Sequence, residues 1–292
     1  MSLIIVPCHS VWKAAIKDED PLNLGQLPAH WLLASFQLEG RNHFAMIKHG
    51  LQGVKTLLEN IKQGSPSCED NLLLFSGSKT KPELNLSEGE SYYKLIRKIL
   101  KFNEQKTSLN EIFDDPELVK LAHTIKNGVS DPELNTLLST NVSYEEYAMD
   151  SFDNVYYSLL KYHEMYSKYP KKVIVVGFEF KRARIVQLHG KKALGIDNEY
   201  IGIDPQPLGW SSEQLKNYFD DINFHESKNA LVPFEKDWYA VRTPLIDKKL
   251  SRNSFGVVPL YPEMISLHHP DTIEDEEFYK SVVLPKYGNF KS

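Results

Sequence analysis

The sequence is poor in cysteine and has no long apolar run. Its two cysteines, Cys8 and Cys68, are too few for a disulfide framework, which favours a cytoplasmic setting. The amino terminus has no basic region before its short apolar run, unlike a signal peptide. No stretch approaches the ~20 apolar residues that cross a bilayer. We therefore predict no association with a membrane.

An excess of positive charge is also absent. The chain carries 34 basic and 39 acidic residues, a formal net charge of −5. Domains that bind nucleic acids usually present a basic surface, so we predict no nucleic-acid partner. A local basic site remains compatible with this overall balance.

Several familiar catalytic signatures are missing. The sequence contains no G-x-G-x-x-G, no P-loop, no G-x-S-x-G elbow, no H-E-x-x-H and no C-x-x-C. These absences disfavour dinucleotide dehydrogenases, P-loop NTPases, α/β-hydrolases and zinc proteases. The pair His268-His269 lies in the C-terminal tail, and we predict a surface position for it rather than a metal site.

The sequence does contain short apolar runs that alternate with helical patterns. The runs predicted as strands are Leu3–Val6, Leu72–Phe75, Leu134–Ser139, Val173–Val176 and Tyr200–Ile203. The predicted helices are 41–63 (ended by the break at Gly64-Ser-Pro-Ser), 87–102, 116–126, a helix reaching Tyr166, 180–193 and 211–219. Alternation of this kind predicts an α/β fold, a Rossmann-like three-layer sandwich with a mostly parallel central sheet.

The helix that reaches Tyr166 has two possible starting positions. Ser143-x-x-Glu146 would cap an early start, and Asp150 with Asp153 would cap a late one. The chain after residue 204 is rich in proline and aromatic residues. We predict a core at 1–204 and a C-terminal extension at 205–292 that packs on it.

In parallel sheets, ligands bind beyond the carboxyl ends of the strands. This rule selects polar residues after the first four predicted strands, and we predict a cleft with His9, Glu88 and Asp150 as acid/base candidates. The predicted ligand-binding residues are Ser76, Gly77, Ser78, Ser151, Asn154, Glu179 and Arg182. Each group has a plain alternative: a turn at Ser76-Gly-Ser, an N-cap at Asp150, and a structural histidine at His9.

A basic turn follows the fourth predicted strand. Lys181, Arg182 and Arg184 lie near the start of a helix, where positive charge is unfavourable unless an anion is bound. We therefore predict a small anionic ligand, clamped by Arg182 and by backbone N–H groups of residues 76–78 and Ser151. The alternative is that these cations are simply solvated at the surface.

These blocks, in this order, resemble the SanA/ElyC/YdcF family (domain of unknown function 218), and more closely its soluble fungal-type branch. The matching stretches are Phe36-Gln-Leu-Glu-Gly40, Phe75-Ser-Gly77, Asp150-Ser-Phe-Asp-Asn154, Val176-Gly-Phe-Glu-Phe-Lys-Arg182 and Arg252-Asn-Ser-Phe255. The resemblance implies a Rossmann-like fold. Most members of the family have no established activity, and one bacterial member is reported to bind S-adenosylmethionine. S-Adenosylmethionine is therefore the cofactor that the resemblance suggests.

The sequence departs from the bacterial members at two positions. Phe178-Glu179 stands where they usually carry an aromatic-His pair, and Ser78 stands where a second glycine is usual. Two hypotheses follow. The chain is an enzyme, such as a transferase or hydrolase acting on a phosphorylated or nucleotide-like substrate, or it is a non-catalytic module whose aromatic tail contacts a partner.

Overall fold

The computed structural model describes residues 1–63 and 70–288. Cys68 and the predicted break at Gly64 lie outside the described residues. The strands are β1 (Ser2–Pro7), β2 (Leu72–Ser76), β3 (Val142–Glu145), β4 (Lys172–Gly177) and β5 (Asn198–Gly202).

The five strands form one parallel sheet in the order β3-β2-β1-β4-β5. The predicted α/β class with a parallel central sheet is confirmed. The chain proceeds outward from β1 to β3 and then returns to place β4 on the other side of β1. The carboxyl ends of β1 and β4 therefore flank the topological switch point, where sheets of this kind hold ligands.

Side chains of the central strands alternate between two cores. Ile4, Leu73 and Ile174 face one apolar cluster, while Ile5 and Leu74 face the other. Because successive residues of a strand point to opposite faces, each β-branched or leucine run supplies both cores. The sheet is thus the middle of three layers.

Helices cover both faces of the sheet. The α-helices are α1 (Ser35–Leu38), α2 (Asn42–Gln63), α3 (Glu88–Leu100), α4 (Leu109–Ile112), α5 (Pro116–Gly128), α6 (Asp131–Thr140), α7 (Ser151–Tyr166), α8 (Ser212–Glu226), α9 (Val232–Lys236), α10 (Leu245–Arg252), α11 (Asp275–Phe278) and α12 (Leu284–Tyr287). The cluster that contains Ile4 holds buried residues of α2, α3, α5 and α6, and the cluster that contains Ile5 holds those of α7.

The predicted strand at Leu134–Ser139 is wrong, because this segment lies in α6. Ser130 caps that helix by accepting a hydrogen bond from the Glu133 N–H, and the Glu133 carboxylate accepts one from the Ser130 N–H. Leu134, Leu137 and Leu138 are buried at helical spacing. The third strand begins only at Val142.

Of the two starts predicted for α7, the late one is confirmed. Asp150, not Ser143, caps α7: its Oδ1 accepts a hydrogen bond of 2.8 Å from the Asp153 N–H. The helix predicted from residue 180 is a 3-10 turn, Glu179–Lys181, followed by a π-helix, Arg184–Leu194.

Residues beyond 204 contribute to the core that contains Ile5. Phe234, Tyr239, Phe278 and Tyr287 are buried there, and the Tyr287 and Tyr156 hydroxyls are 2.8 Å apart. His269, predicted at the surface, is instead buried. Its Nε2 lies 2.9 Å from Asp275 Oδ1. Across the described ranges, none of the helices has the length and apolar character needed to traverse a bilayer.

Candidate functional site at the switch point

His9 and Lys181 lie at the switch point, just beyond the carboxyl ends of β1 and β4, and this region is called the crevice below. Strand β1 ends at Pro7 and delivers His9, while β4 ends at Gly177 and the 3-10 turn delivers Lys181. The Lys181 Nζ lies 3.4 Å from His9 Nδ1. The imidazole stacks on Phe178, with ring centroids 5.0 Å apart. The fold therefore brings a histidine and a lysine together at the position where ligands bind in this architecture.

Burial and nearby cations disfavour the charged forms of both groups. Burial lowers the pKa of Lys181 to about 7, and the charges of Arg184 and Arg252 add to this effect against the opposing Glu226 and Glu88. Burial, then Lys181, lowers the pKa of His9 well below its ordinary value. Among the residues that the structure describes, no polar atom lies within hydrogen-bonding distance of the buried His9 Nε2.

Two arginines complete the positive side of this crevice. Arg184 is buried, and its Nε lies 3.0 Å from Glu226 Oε1. Arg252, on α10, is exposed and donates through Nη1 to the Met149 carbonyl at 2.8 Å. Within residues 1–63 and 70–288, neither Lys181 nor Arg252 forms a salt bridge. The crevice therefore contains two cations without a paired carboxylate.

Glu88 supplies the negative side. It is buried at the first position of α3, and Thr80 donates to its Oε1. Burial raises the pKa of Glu88, opposed by the Thr80 hydrogen bond. A Cβ on Gly77 would lie 3.1 Å from Glu88 Oε2 and 3.2 Å from the Cβ of Cys8. Glu88 thus lies next to the end of β1, as the sequence predicts for an acid near His9.

The predicted anion-binding turn at Ser76–Ser78 is occupied by the protein itself. The Gly77 N–H donates to the Glu145 carbonyl at 3.1 Å, and the Ser78 N–H donates to the Ala148 carbonyl at 2.9 Å. The Asn154 amide donates to Ser76. The Gly77 and Ser78 N–H groups are therefore not available to an anion. The prediction that these two groups bind an anion is corrected. The buried Ser78 hydroxyl has no hydrogen-bond partner among the described residues.

The start of α7 is likewise committed to internal contacts. Lys249 of α10 reaches Asp150 Oδ2 at 3.1 Å and Asp153 Oδ1 at 2.7 Å. Burial tends to lower the pKa of Lys249, but the two carboxylates outweigh it and raise that pKa. Ser151 Oγ lies 2.8 Å from the Nε2 of the buried His189. Asp150 is thus an N-cap and a salt-bridge partner of Lys249, and its proposed acid/base role stays a prediction.

Arg182 and Glu179 pair with each other, away from the His9 crevice. The Nε and Nη2 atoms of Arg182 donate to the two Glu179 carboxylate oxygens at 2.6 and 2.7 Å, and Nη1 donates to the Tyr200 carbonyl at 3.0 Å. Arg182 lines an open cavity of about 570 Å³ beside β5. The predicted clamp by Arg182 stays a prediction, but its bidentate donor face is already satisfied.

Sequence reasoning missed three of these groups as site residues. Lys181 belongs to the predicted basic turn, but the strand-end rule does not show which of the three cations of that turn points toward His9. Arg252 and Lys249 lie on α10, far along the chain, where that rule does not look. The sequence does contain a signal for Arg252 as a site residue, because the stretch that begins there is one of the blocks that carry the family resemblance. The described residues contain no cluster of three His, Cys, Asp or Glu that could hold a metal ion.

Comparison with known proteins gives one full-length similarity to report. The chain is 38% identical to the uncharacterised protein YOR238W of Saccharomyces cerevisiae over 291 residues, which covers 96% of this chain and 93% of that protein. No family model matches the chain. No solved structure matches it. Because the similarity extends over nearly the whole of both proteins, the chain belongs to the same family as YOR238W.

Proposed function

We propose that this chain binds a small anionic ligand in the crevice between the ends of β1 and β4. The ligand carries a phosphate or a carboxylate and is the size of a metabolite or nucleotide. The contacting residues are Lys181, Arg252 and His9, with Glu88 opposite them. This proposal retains the site predicted from the strand ends but moves its cationic centre from Arg182 to Lys181 and Arg252.

One observation carries the proposal: among the described residues, Lys181 and Arg252 have no carboxylate partner, whereas other cations of the chain do. Lys249 has two carboxylates within 3.1 Å, and Arg184 has Glu226 at 3.0 Å. Lys181 is partly withdrawn from water, and an unpaired cation there costs free energy. Arg252 is exposed, so its guanidinium is accessible to an anion. An anionic ligand at the switch point would recover that cost, since guanidinium and ammonium groups bind phosphates and carboxylates strongly.

The same crevice contains groups suited to proton transfer. His9 is neutral because burial lowers its pKa, and Glu88 holds its proton more strongly because burial raises its pKa. His9 as a base and Glu88 as an acid would suit a transferase or hydrolase reaction. The resemblance to the SanA/ElyC/YdcF family adds S-adenosylmethionine to the ligands that merit a test.

A thermal-shift panel tests this proposal. The panel contains inorganic phosphate, sugar phosphates, nucleotides, 2-oxo acids and S-adenosylmethionine. We expect at least one anionic compound to raise the melting temperature. A ligand at 100 times its Kd stabilises the folded state by about 2.7 kcal/mol, which is a shift of several degrees for a protein of this size.

Two arginine variants locate the binding site. We expect Arg252→Gln to abolish the ligand-induced shift and Arg182→Gln to retain it, because Arg182 is held by Glu179. The reverse pattern would place the ligand beside β5 and overturn the proposal. Stabilisation by none of the anions would also overturn it.

A further inference from the structure

We propose that Lys181 is a reactive amine that forms an imine with a small aldehyde or 2-oxo acid bound in the crevice. The inference rests on the proposed function, because the anionic end of the compound would be held by Arg252, one of the two cations of that site. It adds a covalent step and narrows the ligand class to carbonyl compounds that carry a carboxylate or phosphate.

The immediate contacts of Lys181 fit a nucleophilic amine. The Nζ lies 3.4 Å from His9 Nδ1, 5.3 Å from the centroid of the Phe178 ring and 5.8 Å from that of Phe180. In the described parts of the chain it forms no ion pair. Burial, with no counter-charge in an ion pair, disfavours the ammonium form and outweighs the stabilisation that the rings and the imidazole give to it. Only that neutral form has a free electron pair for attack on a carbonyl.

Neighbouring lysines behave differently. Lys48 lies 3.1 Å from Asp115, and its side chain is 5% exposed. Lys249 lies between two aspartates. Each of these two lysines therefore has a carboxylate counter-charge at salt-bridge distance. Lys181 has no carboxylate at salt-bridge distance among the described residues, and the charges of Arg184 and Arg252, which lower its pKa, act against those of Glu226 and Glu88. Proximity to another cation is one of the known ways to activate a lysine.

Arg252 supplies the complementary contact for the substrate. Its guanidinium donates to the Met149 carbonyl and is otherwise open to solvent on the described part of the chain. A carboxylate next to the reacting carbonyl would pair with this group and place the carbonyl carbon near Lys181. The site therefore favours a 2-oxo acid over an uncharged ketone.

The chemical step balances without an added oxidant or reductant. The Lys181 nitrogen attacks the carbonyl carbon, and the electron pair of the C=O bond moves to oxygen. His9 Nδ1 takes a proton from the nitrogen and returns it to the oxygen, which gives a neutral carbinolamine. An acid then protonates the hydroxyl, which leaves as water while the nitrogen electron pair forms the C=N bond, and the conjugate base of that acid takes the remaining nitrogen proton. Glu88, whose pKa is raised by burial, is the nearby acid that can protonate the departing oxygen.

Reductive trapping with glyoxylate tests the inference. The full-length wild-type protein is treated with glyoxylate and cyanoborohydride near pH 7.5, and digested samples taken over time are analysed by mass spectrometry. We expect the adduct at Lys181 to form at least about tenfold faster than at the exposed Lys172, because far more of its amine is neutral at this pH. Lys181→Arg should lose this fast adduct, and Lys172→Arg should retain it.

The outcomes separate the covalent step from binding. If anions stabilise the protein through Arg252 but Lys181 reacts no faster than Lys172, the imine inference fails and the proposed function stands. If neither stabilisation nor a fast adduct is found, both fail. Because the rate is measured on the wild-type chain, a folding defect in Lys181→Arg would not alter the result.

Discussion

Two lysines show how the surroundings of a side chain decide its chemistry. Lys249 is placed between Asp150 and Asp153, and its pKa is raised. Lys181 faces His9 and two arginines, and its pKa falls to about 7. The residue type alone predicts neither state, because both depend on contacts between distant parts of the chain. The sequence could therefore nominate a basic turn but not its reactive member.

The depressed pKa of Lys181 predicts a pH-dependent stability. Between about pH 7 and pH 10 the unfolded chain holds a proton on this lysine that the folded chain has released, so the free energy of unfolding rises with pH. Lys181→Met should stabilise the protein at pH 6.5, and this gain should shrink by on the order of 2 kcal/mol at pH 9.

Urea unfolding of both proteins at the two pH values measures this change. The groups that face Lys181 are the same in both proteins: His9, Glu88, Arg184, Glu226 and Arg252. A gain that does not vary with pH would mean that Lys181 titrates normally.

At the scale of elements, local signals located the longest α-helices, α2, α3, α5, α7 and α8, but not shorter ones such as α6 and α10. Ser87 caps α3 as its sequence pattern predicts, with Oγ accepting from the Glu90 N–H at 3.0 Å. The error at Leu134–Ser139 came from reading an apolar run as a strand although Ser130 and Glu133 mark a helix start. Short apolar runs fit either structure, and only capping residues separate them.

Close packing of α2 against α3 predicts an unusual glycine effect. A Cβ on Gly50 would lie 2.6 Å from both Cγ1 and Cδ1 of Ile96, so Gly50→Ala should destabilise the protein by about 1–3 kcal/mol. Helix propensity alone would favour alanine by about 1 kcal/mol. Gly128→Ala is the matched control, since its Cβ would meet only Lys62 Nζ, at 3.7 Å. In chemical denaturation, Gly50→Ala should lower the free energy of unfolding, while Gly128→Ala should raise it or leave it unchanged. Equal stabilisation by both substitutions would refute the packing argument.

The contact of α10 with α7 depends on Lys249. Lys249→Ala leaves two buried carboxyl groups without their cation, and we expect a loss of about 3 kcal/mol in the free energy of unfolding. Adding Asp153→Asn should recover part of this loss. Lys248→Ala serves as the control, because Lys248 only donates to the Asn229 carbonyl. A loss below about 1 kcal/mol in Lys249→Ala would show that the pair is solvated.

For the whole molecule, the alternation of elements was enough to predict a parallel sheet covered on both faces. The strand order could not be predicted from the sequence, because it depends on which pairs of strands can form together. That order is what makes β1 and β4 neighbours and so brings His9 to Lys181. The sequence predicts the cleft only in outline. In the structure, N–H groups of Ser76–Ser78 donate to backbone carbonyls, and Asp150 accepts a hydrogen bond from a backbone N–H at the start of α7.

Burial of residues beyond 204 predicts that the core cannot fold without them. Phe234, Tyr239, Phe278 and Tyr287 belong to the same cluster as Ile5. A chain of residues 1–204 would expose that surface, and we expect it to lack a cooperative thermal transition. Circular dichroism and proteolysis of both chains make the comparison. A truncated chain that unfolds cooperatively near the full-length melting temperature would show two independent units.

The most direct test of the switch-point site is a crystal structure of the full chain grown with inorganic phosphate. The account predicts electron density for the anion between the ends of β1 and β4, within contact of Lys181 and Arg252. Density at Arg182 beside β5, with none in the crevice, would contradict it.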